Sequence, residues 1–147
     1  MNIDKSSPSD YSELIVVWEE SVRATHDFLN EEHISSLKLL ILQDYFDAVN
    51  LRVAKDDNNR IIGFIGVAET NIEMLFIAPE LRVSGIGSML LKNAIQHQAA
   101  RKVDVNEQNP DAVGFYQHHG FKVVGRSALD GQNNPFPLLH MELGDIE

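Results

Sequence analysis

The chain has 147 residues, a formal net charge of −10, no cysteine, and 44% hydrophobic residues. Its length suits a single domain, 1–147, with a real core, and the lack of cysteine excludes disulfides, thiol nucleophiles and thiolate metal sites. An acidic chain repels phosphate backbones, which argues against a nucleic-acid partner, and no apolar run reaches the length of a membrane span.

Ser7-Pro8-Ser9-Asp10 reads as a helix start, with Ser7 as cap, Pro8 in the first turn and Asp10 at the capping-box position. Tyr11, Leu14, Ile15, Trp18 and Val22 then recur at helical spacing. After a break near Asp27 to Asn30, a second helix is expected from about Glu31 to Phe46, with Ile34, Leu37, Leu40 and Ile41 inward. From Leu51 the period changes to two. Leu51 to Lys55 and Arg60 to Val67 read as strands joined by the turn Asp56-Asp57-Asn58-Asn59, and Ile72 to Ile77 completes a meander that Pro79 ends.

A third long helix is expected from about Gly85 to Ala100, followed by a strand at Val103 to Asn106. Asn109 and Pro110 are cap and first residue of another helix, and Gly120 closes it in the left-handed position. Phe121 to Val124 and Phe136 to Leu143 are the last strands. The unit Ile72–Ile77, helix, Val103–Asn106 is a βαβ crossover, so its strands are expected to be parallel and right-handed. The remaining sheet is expected to be largely antiparallel: a mixed α/β (α+β) fold, neither a Rossmann fold nor a bundle.

The segment Arg82-Val83-Ser84-Gly85-Ile86-Gly87-Ser88 lies between a strand and a helix. The first amides of a helix have no partner within it and carry partial positive charge, and glycines let that backbone approach an oxyanion. Such a turn binds phosphate, and Arg82 could add a charge-assisted contact. A dinucleotide fingerprint needs a third glycine where Leu90 stands, and a Walker loop needs a lysine that is absent. A glycine turn serving only packing is the plain alternative.

The remaining pattern resembles the pyrophosphate-binding motif of the GNAT superfamily of acetyl-CoA-dependent N-acyltransferases. Asn109-x-x-Ala112-x-x-Phe115-Tyr116-x-x-x-Gly120-Phe121 looks like that family's downstream segment, and Leu75-Phe76-Ile77-x-Pro79-x-x-Arg82 like its central strand and exit. The element order is similar across nearly the whole chain. The resemblance implies a mostly antiparallel sheet of about six to seven strands, flanked by about four helices, with a splayed central parallel pair.

It further implies acetyl-CoA as co-substrate, no metal, and direct transfer to an amine. The pantetheine arm would lie between the splayed strands and pair with the backbone of Leu75, Phe76 and Ile77. Arg82, Val83, Ser84, Gly85, Ile86, Gly87 and Ser88 would hold the diphosphate, with Asn109 and Phe115 also on the cofactor. A backbone N–H near Phe76 or Ile77 would hold the developing oxyanion.

By family position Tyr116 is the acid that protonates the leaving thiolate. A phenol of pKa about 10 stays protonated at neutral pH beside a thiol of about 8.5. Glu73, Asp104 and His26 are candidate bases. Alternation puts Glu73, Leu75 and Ile77 on one face. An exposed strand residue is the plain alternative for either acid. His26, Phe28 and Asn106 are expected at the acceptor, which the resemblance implies is built at the helix break. Trp18 and Phe28 serve core packing equally well.

The chain is thus expected to be a cytoplasmic N-acetyltransferase, since no secretory signal is visible. Its acidity would draw in a cationic amine, of a small molecule, peptide or protein. Monomer and homodimer both remain open. The rivals are a non-catalytic CoA-binding domain and a small interaction module whose glycines serve only the fold.

Overall fold

The computed structural model describes residues 2–25, 29–81, 84–130 and 133–144. Within them seven strands form one sheet: β1 (Asn2–Lys5), β2 (Asn50–Lys55), β3 (Ile61–Ala68), β4 (Asn71–Ile77), β5 (Lys102–Asn106), β6 (Phe121–Ser127) and β7 (Leu138–Leu143). Their order across the sheet is β1-β2-β3-β4-β5-β7-β6. All neighbours are antiparallel except β4 and β5, which are parallel, as the crossover through one helix requires.

The helices are α1 (Tyr11–Thr25), α2 (Glu31–Leu40), α3 (Phe46–Ala48), α4 (Ile86–His97) and α5 (Pro110–His118). At the head of α1 the Asp10 carboxylate accepts from the Ser7 N–H at 3.0 Å, the reciprocal half of a capping box. The Asn30 side chain caps α2 by accepting from the His33 N–H at 2.9 Å. The single helix expected to run to Phe46 widens into a π turn at Ile41–Tyr45 before α3. Asn109 caps α5, Pro110 opens it, and Gly120 (φ 93°) follows its end, as the sequence suggests.

The sheet separates two apolar layers. On one face Ile86, Leu90, Leu91 and Ala94 of α4 and Tyr116 of α5 pack on Ile65, Ile72, Ile77, Val103, Val105 and Met141. On the other Leu14, Trp18 and Val22 of α1 and Ile34 of α2 pack on Val53, Phe64 and Met74. Each such side chain gains about 1.5–3 kcal/mol from burial. β1 was not expected: it pairs with β2, and its Ile3 faces Ala54 in register. Among the described residues no helix is long and apolar enough to cross a membrane.

Candidate active site

The parallel ladder between β4 and β5 has two rungs, Asn71↔Lys102 and Ile72↔Val103. Beyond them the strands part. The local cause lies on β4's other side, where Gly66 pairs with Met74 but Val67 pairs with Ile72. Glu73 is therefore an extra residue, a bulge, and bulges bend a strand and end pairing. Gly66 permits this tight spot, because a Cβ there would come within 2.8 Å of Val49 Cγ2.

The bulge corrects the expectation that Glu73, Leu75 and Ile77 share a face by strict alternation. Leu75 and Ile77 do pack with the α4 layer, and Met74 and Phe76 with the α1 layer. Glu73 stands outside that alternation, exposed, with its Oε1 accepting from Asn71 Nδ2 at 3.0 Å.

The parted strands enclose a cleft of about 120 Å³. Glu73, Leu75 and Phe76 line it from β4, Asp104 and Asn106 from β5, and Asn109 and Tyr116 from α5. Tyr116 is buried and stacks edge-on against Phe115 and Phe121. Burial alone raises its pKa far above the ordinary phenol, so it carries its proton at any physiological pH. Asp104 faces His140, with Oδ1 2.6 Å from Nδ1. Asn109 Oδ1 is committed to the Ala112 N–H at 3.2 Å, and Asn106 Oδ1 to the Gln108 N–H at 2.9 Å.

At one end of β4 lies the start of α4. Gly85 holds φ 89°, a left-handed conformation, and no atom stands within 4 Å of where its Cβ would be. The Met89 N–H bonds back to Gly85 O at 3.1 Å, so the amides of Ile86, Gly87 and Ser88 are the terminal donors of the helix. Its first turn carries no acidic residue. Gly87 is buried, with the Phe115 ring of α5 3.5 Å from its Cβ position, an ordinary contact distance. The Ser88 hydroxyl bonds His119 Nε2 at 2.9 Å, and Ser84 Oγ donates to Leu81 O at 2.5 Å. Burial, His118 and Lys92 lower the His119 pKa. Arg82 and Val83 lie outside the described residues.

On the α1 side of the sheet opens a larger cavity of about 520 Å³. Trp18, Val22 and Leu37 give it apolar walls, and Glu32, His33 and Ser36 stand along one side on α2. Asp130, Asn134, Phe136 and Leu138 close it from the segment leading into β7. Phe76 and Asn106 line both this cavity and the cleft, so the two meet at the parting of the strands. The His33 ring stands edge-on to Phe136 at 5.2 Å, and its Nδ1 is buried with no hydrogen-bond partner among the described residues. Two expected acceptor residues, His26 and Phe28, lie outside the described residues. The structure instead adds Glu32, His33, Asp130 and Phe136, none of which the sequence singled out. Their only signal was proximity to the helix break and to the last strand.

A run of helix amides, a slot between parted strands and an acid-lined cavity meeting that slot can hold an anionic thioester and bring to it an amine that arrives as a cation and reacts once deprotonated. Comparison with known proteins agrees. A family model described as an acetyltransferase (GNAT) domain matches residues 17–144. The peptidyl-lysine N-acetyltransferase YjaB of Salmonella typhimurium is 40% identical over 141 residues, covering 96% of this chain and 97% of that protein. The solution structure of apo YjaB from Escherichia coli superposes with a TM-score of 0.88 at 37% identity, covering 99% of this chain and 98% of that one. A PaiA N-acetyltransferase from Thermoplasma acidophilum, crystallised with coenzyme A, shares the fold with a TM-score of 0.72 at 24% identity, covering 98% of this chain and all, 100%, of that one.

Proposed function

This chain belongs to the GNAT family of acetyl-CoA-dependent N-acetyltransferases, and on that premise we propose that its acceptor is the ε-amine of a lysine in a protein or peptide. The observation that carries the reading is the meeting of the cavity and the cleft at Phe76 and Asn106. Glu32 and Asp130 give that cavity acidic lining, which suits a cationic side chain, and the YjaB relatives at 37–40% identity are named for this acceptor.

The site's own residues supply a direct transfer. The Ser84–Ser88 turn, with Arg82 and Val83 before it, holds the diphosphate on the amides that open α4. The pantetheine arm runs along β4 where β5 has parted from it, beside Leu75, Phe76 and Ile77, as an added strand would. A backbone N–H near Phe76 or Ile77 takes the carbonyl oxygen as charge develops on it. Asn109 and Phe115 flank the arm from α5, and Asn106, His26 and Phe28 contact the acceptor. Glu73 and Asp104, the two carboxylates on the cleft, are the bases available to the amine. Tyr116, held neutral by burial, delivers its proton to the departing thiolate.

We further place the protein in the cytoplasm, in keeping with a chain that has no cysteine. Its partners are a cationic protein or peptide, neither nucleic acid nor membrane, and its net charge of −10 supports the first exclusion. The test is incubation with acetyl-CoA and a peptide bearing one internal lysine and a blocked N-terminus. Mass spectrometry is expected to find one acetyl group on the lysine. Acetylation confined to free N-termini or to polyamines would overturn the acceptor assignment.

A further inference from the structure

We propose that Asp104, His140 and Ser127 form one hydrogen-bonded unit in which Asp104 is the base for the acceptor amine and His140 and Ser127 are positioning residues that orient its carboxylate. The inference rests on the amine-acetylation reading above and deepens it.

The three side chains lie on three adjacent strands. Asp104 of β5 and His140 of β7 are directly opposite in register, and Gly125 of β6 is opposite His140 on the other side. Asp104 Oδ1 is 2.6 Å from His140 Nδ1, and His140 Nε2 is 2.6 Å from Ser127 Oγ. A carboxylate only accepts, so Nδ1 carries the proton; Nε2 of the neutral ring then accepts from the Ser127 hydroxyl. The chain therefore fixes both the tautomer and the orientation of the ring. The ring packs over Gly125, where a Cβ would stand in ordinary van der Waals contact, 3.4 Å from His140 Cδ2.

Position ties the unit to the acceptor. Val103 and Val105 are buried in the α4 layer, so Asp104 and Asn106 alternate onto the opposite face. Asn106 and Leu138 on that face line the large cavity, and Asp104 itself lines the cleft. Asp104 thus stands one alternation step from the junction of the two. Its rival Glu73 is held by the Asn71 amide, which does not titrate.

The chemistry balances as follows. The neutral amine nitrogen attacks the thioester carbon, the C–N bond forms and the C–S bond breaks. One proton passes from nitrogen to Asp104 Oδ2, and one from Tyr116 to sulfur, giving the amide and free thiol. Asp104 then gives its proton to solvent, to which 46% of its side chain is open, and Tyr116, itself buried, regains one by way of the cleft that it lines. While His140 is neutral, it holds Oδ1 and leaves Oδ2 for the amine. Among the described residues, His140 is faced by Asp104 from β5 and Ser127 from β6. Further along lie two ion pairs, Lys102–Glu142 and Arg126–Glu107, each already neutralised internally.

Two measurements on the full chain test this. The first is the tautomer of the His140 ring by nitrogen-15 NMR, which needs no acceptor. Nδ1 is expected to carry the proton in the neutral ring, and Asp104→Asn is expected to change the Nδ1 and Nε2 signals as the bond to the carboxylate is lost. Ring signals indifferent to Asp104→Asn overturn the proposal. The second is steady-state kinetics with acetyl-CoA and the single-lysine peptide. His140→Gln, which keeps a donor for Asp104, is expected to hold kcat within about threefold of wild type. His140→Ala, with no donor, is expected to lower kcat about tenfold or more at the plateau while KM for acetyl-CoA holds. Ser127→Ala is expected to have a smaller effect in the same direction. A kcat unmoved in His140→Ala, or lowered equally in His140→Gln, overturns the proposal even if the ring is bonded to Asp104. If the wild type acetylates spermidine but not the peptide, the lysine assignment falls, and the same comparison of variants made with spermidine decides this one.

Discussion

Ile72 and Val103 form the last rung between β4 and β5, and the strands separate immediately beyond it. The bulge at Glu73 sits one residue past that rung. Two hydrophobic side chains thus anchor one end of the cleft in the core, while the bulge turns its other end open. Removing the anchor is expected to cost more than cavity formation alone. Ile72→Ala is expected to destabilise the protein by about 2–5 kcal/mol. It is also expected to weaken acetyl-CoA binding beyond the fraction unfolded, as measured by urea unfolding and calorimetric titration of one variant.

Tyr116→Phe removes a hydroxyl that burial keeps protonated and leaves the ring packed against Phe115 and Phe121. Turnover is expected to fall by about 10²-fold, while the affinity for acetyl-CoA stays within about twofold. Steady-state kinetics beside a binding titration checks both. Equal turnover removes Tyr116 from the mechanism.

Gly85→Ala introduces a side chain at φ 89°, where space is open and only the backbone objects. The cost is expected to be about 1–2 kcal/mol from the left-handed conformation, seen as a lower urea midpoint with an unchanged slope. CoA is expected to bind more weakly than to wild type, because the amides that follow are displaced.

Much of this site is written locally in the sequence. Gly85, the Asn109-Pro110 pair and Gly120 each act through their own backbone, so short patterns reveal them. β1 escaped such reading because it is an exposed edge of four residues, with Ile3 its one apolar side chain. The bulge at Glu73 depends on the register of β3, and alternation along β4 cannot show it. The Ser88–His119 and Asp104–His140 contacts join residues 31 and 36 positions apart, so only the folded chain assembles them. The cavity wall at Asp130, Asn134 and Phe136 likewise comes from a segment whose turn residues say loop and nothing of what the loop covers.

Glu32→Gln is expected to raise the KM for a lysine peptide several-fold and to leave the KM for acetyl-CoA unchanged. Glu32 lines the large cavity and not the cleft, so it can act on one substrate alone. Paired substrate titrations separate the two constants.

The lowered pKa of His119 carries a stability cost in acid. The unfolded chain takes up a proton near pH 6.5, where the folded ring, desolvated and beside His118 and Lys92, still resists it. Its contribution to stability is therefore complete above the unfolded pKa. It declines as pH falls from there toward the lower folded value. His119→Gln is expected to flatten that part of the curve of unfolding free energy against pH, recorded in urea at several pH values.

The most direct test follows backbone amide signals by NMR as acetyl-CoA is added to the full chain. Large shifts are expected at Gly85 to Ser88 and at Leu75 to Ile77, with β1 and β2 little changed. Saturating acetyl-CoA that leaves both segments unmoved would contradict the assignment of the helix head and the parted strands as the place where the thioester is held.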